Sequence, residues 1–253
     1  MKTRNVLLAL AAAAAVPAFA FTGNNTCGLV RIESGSANTV IGVPWVEVGT
    51  GADVTVAKLV STANLTEGDE LRYYSAGIWY GWTLGASGWE AMTSATETDQ
   101  LKAPGETETA LTRGKALVLI RKGDLTKPFY LYGQYDSTSI TSSQALTRGT
   151  AENPVYTLLA SPKAEAFTLG ANAISNPGAG DQIIIYNADG SQTIYTRNDS
   201  GAWGRYVEGE PFEIPGFGSF PSSVWETATI PAGQGFWYVS RGNATGDLTV
   251  NWN

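Results

Sequence analysis

Short apolar runs recur along the chain, separated by breaks rich in glycine, proline and Asn/Asp. Leu117–Ile120 and Phe236–Val239 are unbroken apolar runs of four, the pattern of a central strand buried on both faces. Ile183–Tyr186 and Ile194-Tyr195-Thr196 flank Asn187-Ala188-Asp189-Gly190-Ser191. An Asp-Gly step between two β-rich runs predicts a hairpin. Phe129–Tyr132 and Leu248–Val250 predict further strands near the end of each half of the chain. The 29 glycines and 11 prolines punctuate these runs with turns. Helix is scarce: Val56–Leu65 predicts a turn or two, and Leu169–Ile174 one turn.

The pattern occurs twice. Gly68-Asp69-Glu70-Leu71-Arg72-Tyr73-Tyr74 resembles Gly180-Asp181-Gln182-Ile183-Ile184-Ile185-Tyr186, and Ser87-Gly88-Trp89 resembles Ser200-Gly201-Ala202-Trp203. The stretch from Arg113 to Gly123 resembles that from Ala232 to Gly242, and Val40–Pro44 is a weaker match to Tyr156–Pro162. The matches keep their order, and their separations lie between 112 and 119 residues, as loop insertions produce. The expected fold is therefore all-β with little helix: two similar small β-sandwich or partly open barrel repeats, 21–135 and 136–253, each of six to eight short strands.

The first twenty residues read as an export signal. Lys2 and Arg4 precede an apolar run, Val6–Val16, that is too short to span a membrane; Pro17 breaks it, and Ala18-Phe19-Ala20 offers a cleavage site after Ala20. Removing 20 of 253 residues leaves 233, and the loss of Lys2 and Arg4 takes the net charge from -7 to -9. Such an acidic chain repels phosphate backbones, so no nucleic acid is expected as partner. No later segment predicts a membrane-spanning helix. The expected location is secreted, periplasmic or on the cell surface.

Chemistry is narrowed by what is missing. The chain has no histidine, so neither a Ser-His-Asp nor a Cys-His nucleophile can be assembled. Typical zinc sites lose their commonest ligand. Cys27 is the only cysteine, which excludes an internal disulfide. It reads either as a small, partly buried apolar residue or as an intermolecular disulfide partner. No cofactor, metal or catalytic residue is expected.

Residues that match in both repeats are best explained by folding, and residues peculiar to one are better candidates for a site. By this test Asp69 and Asp181 are turn residues whose carboxylates bond nearby backbone N–H groups. Trp89, Trp203 and the apolar run around Trp237 are assigned to the two cores. The loop Asn187–Ser191 resembles the start of a calcium loop, but position twelve of an EF-hand would be Asn198 rather than glutamate, which favours the hairpin. Peculiar to the first repeat are Trp79, Tyr80 and Trp82. Trp79 and Trp82 are three apart, so they need not share a strand face. The insertion 93–109 is acidic. The insertion 208–226 carries Phe212, Phe217, Phe220 and Trp225, which must fold back as a lid or meet a partner. These seven aromatics are the candidate ligand-binding residues.

The signal, the Gly42-Val43-Pro44-Trp45 first strand, the Gly-Asp strand start and the run Gly233-Gln234-Gly235-Phe236-Trp237-Tyr238 resemble a group of secreted bacterial two-repeat β proteins. The resemblance implies a fold and no activity. The expected function is a secreted, non-catalytic binding or structural protein of the cell surface or matrix. It would contact polysaccharide or a cell-envelope protein through exposed aromatics. One alternative is a carboxylate-dependent extracellular glycan-active enzyme, which needs an Asp/Glu pair about 5–10 Å apart across a cleft. The other is an outer-membrane β-barrel, whose strands of about ten alternating residues the chain does not display.

Overall fold

The apolar runs become strands because alternate residues of each are buried on opposite faces. The computed structural model describes residues 26–75, 77–92, 101–105, 109–135, 143–168, 173–198, 203–205, 213–214, 218–219 and 229–252. The elements up to residue 135 are β1 (Thr26–Ile32), β2 (Asn38–Gly42), α1 (Val56–Leu59), β3 (Glu70–Ser75), β4 (Ile78–Gly85), β5 (Gly88–Ala91), β6 (Leu101–Lys102), β7 (Ala116–Ile120) and β8 (Phe129–Tyr135). After it come β9 (Ser143–Ala145), β10 (Val155–Ala160), β11 (Phe167–Thr168), β12 (Ile174–Ser175), β13 (Gln182–Tyr186), β14 (Gln192–Arg197) and β15 (Trp203–Arg205). The last are β16 (Glu213–Ile214), β17 (Gly218–Ser219), β18 (Thr229–Ile230), β19 (Gly235–Ser240) and β20 (Thr249–Asn251).

The protein is nearly all β. The first large sheet has the order β2-β7-β3-β4-β5, with β6 added parallel to β4. The second has the order β10-β19-β13-β14-β15. Their registers correspond. Ile41 pairs with Leu117 and Leu71 with Leu119 in the first; Leu159 pairs with Phe236 and Ile183 with Tyr238 in the second. The sheets are open, and none closes into a barrel among the described residues. No described helix is long and apolar enough to cross a membrane.

Three clusters of buried side chains stack as layers. Leu117 and Leu119 of β7 face a first core with Leu71, Trp82, Phe129 and Leu131, closed by Ile32 and by Val56 and Leu59 of α1. Phe236 and Tyr238 of β19 face a second core with Ile183, Tyr195, Phe167, Ile230 and Val250. Between the two sheets lies a thin third cluster of Val40, Ala116, Leu158 and Ala160, against which Tyr74, Val118, Tyr186 and Trp237 pack. Both large sheets are thus covered on both faces, which is why their central strands carry no polar alternation.

The joint between the sheets is reciprocal. Gly42 N–H donates to the Gly233 carbonyl at 2.7 Å, and Ala160 N–H donates to the Gly114 carbonyl at 3.3 Å. Gly42 and Ala160 end β2 and β10, and Gly114 and Gly233 stand two residues before β7 and β19. Each side thus offers the other the same backbone groups, the arrangement of an isologous contact.

Two local expectations change. The helix predicted over Val56–Leu65 is confined to α1, because Val60 leaves it to bridge Leu131 of β8. Ile174 pairs with Val250 in β12, where the ladder and the second core hold it extended rather than helical; residues 169–172 lie outside the described residues. Twelve described strands fall in 136–253, more than the six to eight expected, because five are two-residue pieces, four of which pair only with one another.

Candidate functional site

The two matching aspartates are scaffold. Asp69 is buried; its carboxylate accepts from Thr66 N–H at 2.9 Å and Lys122 N–H at 2.7 Å. Asp181 is buried; it accepts from Gly178 N–H, Arg241 N–H and Gly242 N–H, each at 2.7 Å, and from the Tyr238 hydroxyl at 2.5 Å. Gly68 and Gly180, just before them, have φ of 89° and 90°, which a side chain would strain. Each carboxylate therefore pins a turn to the strand end beyond it. Burial, then the Asp181 carboxylate, pushes the Tyr238 hydroxyl far above its ordinary range, so it remains a hydrogen-bond donor.

The aromatic residues gather elsewhere, at one end of the joint. Tyr74 of β3 and Trp79 of β4 are cross-strand partners with ring centroids 5.0 Å apart. Trp237 of β19 meets both edge-on, at 5.6 Å from Tyr74 and 5.9 Å from Trp79. Tyr156 of β10 also meets Trp237 edge-on, at 6.4 Å, and is half exposed. Four rings from both sheets thus form one continuous group.

Tyr74 and Tyr156 also line a cleft of about 730 Å³, within the range of about 300–1,000 Å³ common for small-molecule sites. Hydroxyl and amide groups of Ser75, Ser143, Gln144 and Thr157 face it, as do Arg113 and Lys115. Lys115 Nζ lies 4.9 Å over the Tyr73 ring and donates to the Ala110 carbonyl at 3.2 Å. No Asp or Glu is among the described lining residues, so the facing carboxylate pair of a glycosidase is not assembled in this cleft.

No protein family matches this chain, and neither does any curated protein or solved structure.

The seven predicted aromatics separate. Trp79 joins the ring group at the joint. Trp82 does not face a ligand: it is buried in the first core opposite Leu71, the inward member of the odd-spaced pair. Tyr80 shares that inward face and stacks on Tyr73 at 6.4 Å. Phe212, Phe217, Phe220 and Trp225 lie outside the described residues, as does most of the 93–109 insertion. Trp203 is in the second core as expected, and Trp89 lies against the first, donating from Nε1 to the Val60 carbonyl at 3.2 Å. Cys27 is exposed rather than partly buried. Among the described residues no three His, Cys, Asp or Glu side chains cluster as metal ligands.

The sequence reading missed Tyr74, Tyr156 and Trp237. Its place inside an apolar run assigns Trp237 to a core. The run alternates in fact: Phe236 and Tyr238 turn to the second core, and Trp237 turns to the joint. A usable signal was present. Trp237 takes the ladder position that Val118 takes in β7, opposite Leu158 and Val40 respectively.

Proposed function

We propose that this is a secreted, non-catalytic binding protein of the cell surface or extracellular matrix, and that it holds polysaccharide in the cleft at the joint of its two sheets. The observation that carries this reading is the ring group Tyr74-Trp79-Trp237-Tyr156 beside that cleft. A pyranose presents C–H groups on its faces and hydroxyls around its rim. Aromatic π-faces, which carry partial negative charge, take the former; Ser, Thr and Gln side chains take the latter. The lack of histidine supports a holding rather than a transforming role, as does the lack of a carboxylate in the described lining. The ordered matches along the chain and the corresponding registers support an origin by internal duplication.

The test is a glycan array carrying neutral and acidic polysaccharides, combined with a pull-down from cell-envelope fractions. Retention on a polysaccharide is the expected result. Failure to bind every glycan presented, with capture of envelope protein only, would replace the glycan by a protein partner. No retention on either would remove the binding role.

A further inference from the structure

The reciprocal joint has two ends that the strand order makes equivalent, and the two ends differ. At one end the turn between β13 and β14 rests on the connection between β1 and β2. Gly35 N–H donates to the Ala188 carbonyl at 2.5 Å, and a Cβ on Gly190 would stand 3.2 Å from Ser36 Oγ. Thr39 is buried there, its hydroxyl 2.5 Å from Ser34 Oγ. At the other end the β3–β4 turn and the β9–β10 connection take these places, and no hydrogen bond joins them among the described residues. A Cβ on Gly77 would meet nothing within 4 Å, and Gly77 and Pro154 both line the cleft.

Two length differences accompany the gap. Four residues separate the cross-strand partners Tyr74 and Trp79, against five between Tyr186 and Gln192. The connection from β9 to β10 spans nine residues, against five from β1 to β2. The side chains differ as well. Where the open end has Trp79, Tyr156 and Trp237, the matching ladder positions of the closed end hold Gln192, Asn38 and Val118.

We infer that the chain takes one glycan per molecule, at the open end of the joint and not at the closed end, stacked on Tyr156 of the second sheet and Tyr74 of the first, the two rings that line the cleft, with Trp237 packed against both. This rests on the glycan reading above and adds to it the number of sites, their place and the need for both sheets. The closed end shows how the same backbone looks when the hairpin tip fills the space. It also supplies the substitutions that remove the rings with residues already accommodated at equivalent positions.

The experiment is a calorimetric titration of the mature protein with cellohexaose, chitohexaose and hexagalacturonate. The expected stoichiometry is one for whichever binds. Trp237→Val and Tyr156→Asn should each weaken that binding at least tenfold with the β circular-dichroism spectrum retained. A second measurement is independent of those folds. In a Cys27→Ser background, a phenylmaleimide attached at Thr157→Cys, in the cleft, should abolish binding, and the same group at Asn38→Cys, exposed at the closed end, should leave it intact. A stoichiometry of two, or binding that survives the block at position 157, overturns the inference and leaves the glycan reading standing. No binding by any of the three oligosaccharides overturns both.

Discussion

A methyl group on Gly42 would stand 2.6 Å from the β-carbon of Ala160, so these two residues set how closely the two large sheets approach. Gly42 N–H and the Gly233 carbonyl bond at the same point, which leaves the backbone no room to retreat. Gly42→Ala should therefore destabilise the protein by about 1–3 kcal/mol, the usual cost of overpacking. Ala160→Gly placed in the same chain should recover part of that loss. Urea midpoints of the two single variants and the double variant check this; strict additivity would show that the two positions do not meet.

Asp181 and Asp69 occupy the same place in the two sheets but satisfy different numbers of donors. Asp181→Asn weakens or breaks bonds from three backbone N–H groups and a buried Tyr hydroxyl. Charge-assisted bonds are worth about 1.5–3 kcal/mol each when buried, so this variant should lose on the order of 3–5 kcal/mol or fail to fold. Asp69→Asn touches two backbone donors and should cost about 1–3 kcal/mol. Thermal unfolding of the pair decides the ranking, and equal losses would contradict it.

Trp45 lies over the cross-strand pair Gly28 and Gly133, and a Cβ on either glycine would overlap its ring or its own β-carbon. The indole is fully buried, so it has no alternative place. Gly28→Ala, whose Cβ would meet only the far ring atoms of the indole, should cost about 1–3 kcal/mol. The same substitution in a Trp45→Leu chain should cost markedly less, because the clash is gone. A double-mutant cycle with no coupling would refute the assignment.

Glu70 carries the clearest acid-sensitive contact. Burial acts to raise its carboxyl, but bonds from Lys122 Nζ at 2.9 Å and Arg72 Nη2 at 2.6 Å, with their charges, outweigh burial and hold it below its ordinary value. A group depressed in the folded state stabilises at pH above its ordinary value and loses that effect as pH falls through its folded value. Glu70→Gln should be less stable than the parent at pH 7 by no more than about 1 kcal/mol, since Lys122 is largely exposed and Arg72 partly so. The gap should close on acidification. A gap that stays constant down to pH 2 would mean the ion pairs contribute nothing.

The strands of this fold were legible because burial on one or both faces writes itself into residue order. The run Leu117–Ile120, the Asp-Gly hairpin and the Gly-Asp strand starts all appear where pattern and turn chemistry agree. Ile174 is not legible as strand because a two-residue strand has no period of its own and takes its conformation from Val250. Trp82 and Trp237 exchanged roles for one reason. In a sheet covered on both faces, an apolar run does not reveal which of its residues faces a core and which faces the neighbouring sheet. The ring group is not legible at all, since it arises from Tyr74 and Tyr156, 82 positions apart, meeting the same side chain of Trp237.

The most direct test of the account follows the indole N–H resonances of the eight tryptophans while a bound oligosaccharide is added. Trp79 and Trp237 should shift together and saturate with one affinity, while Trp45 and Trp203, sealed in the cores, stay in place. Saturable binding that leaves Trp79 and Trp237 unmoved would contradict the placement of the ligand at the joint.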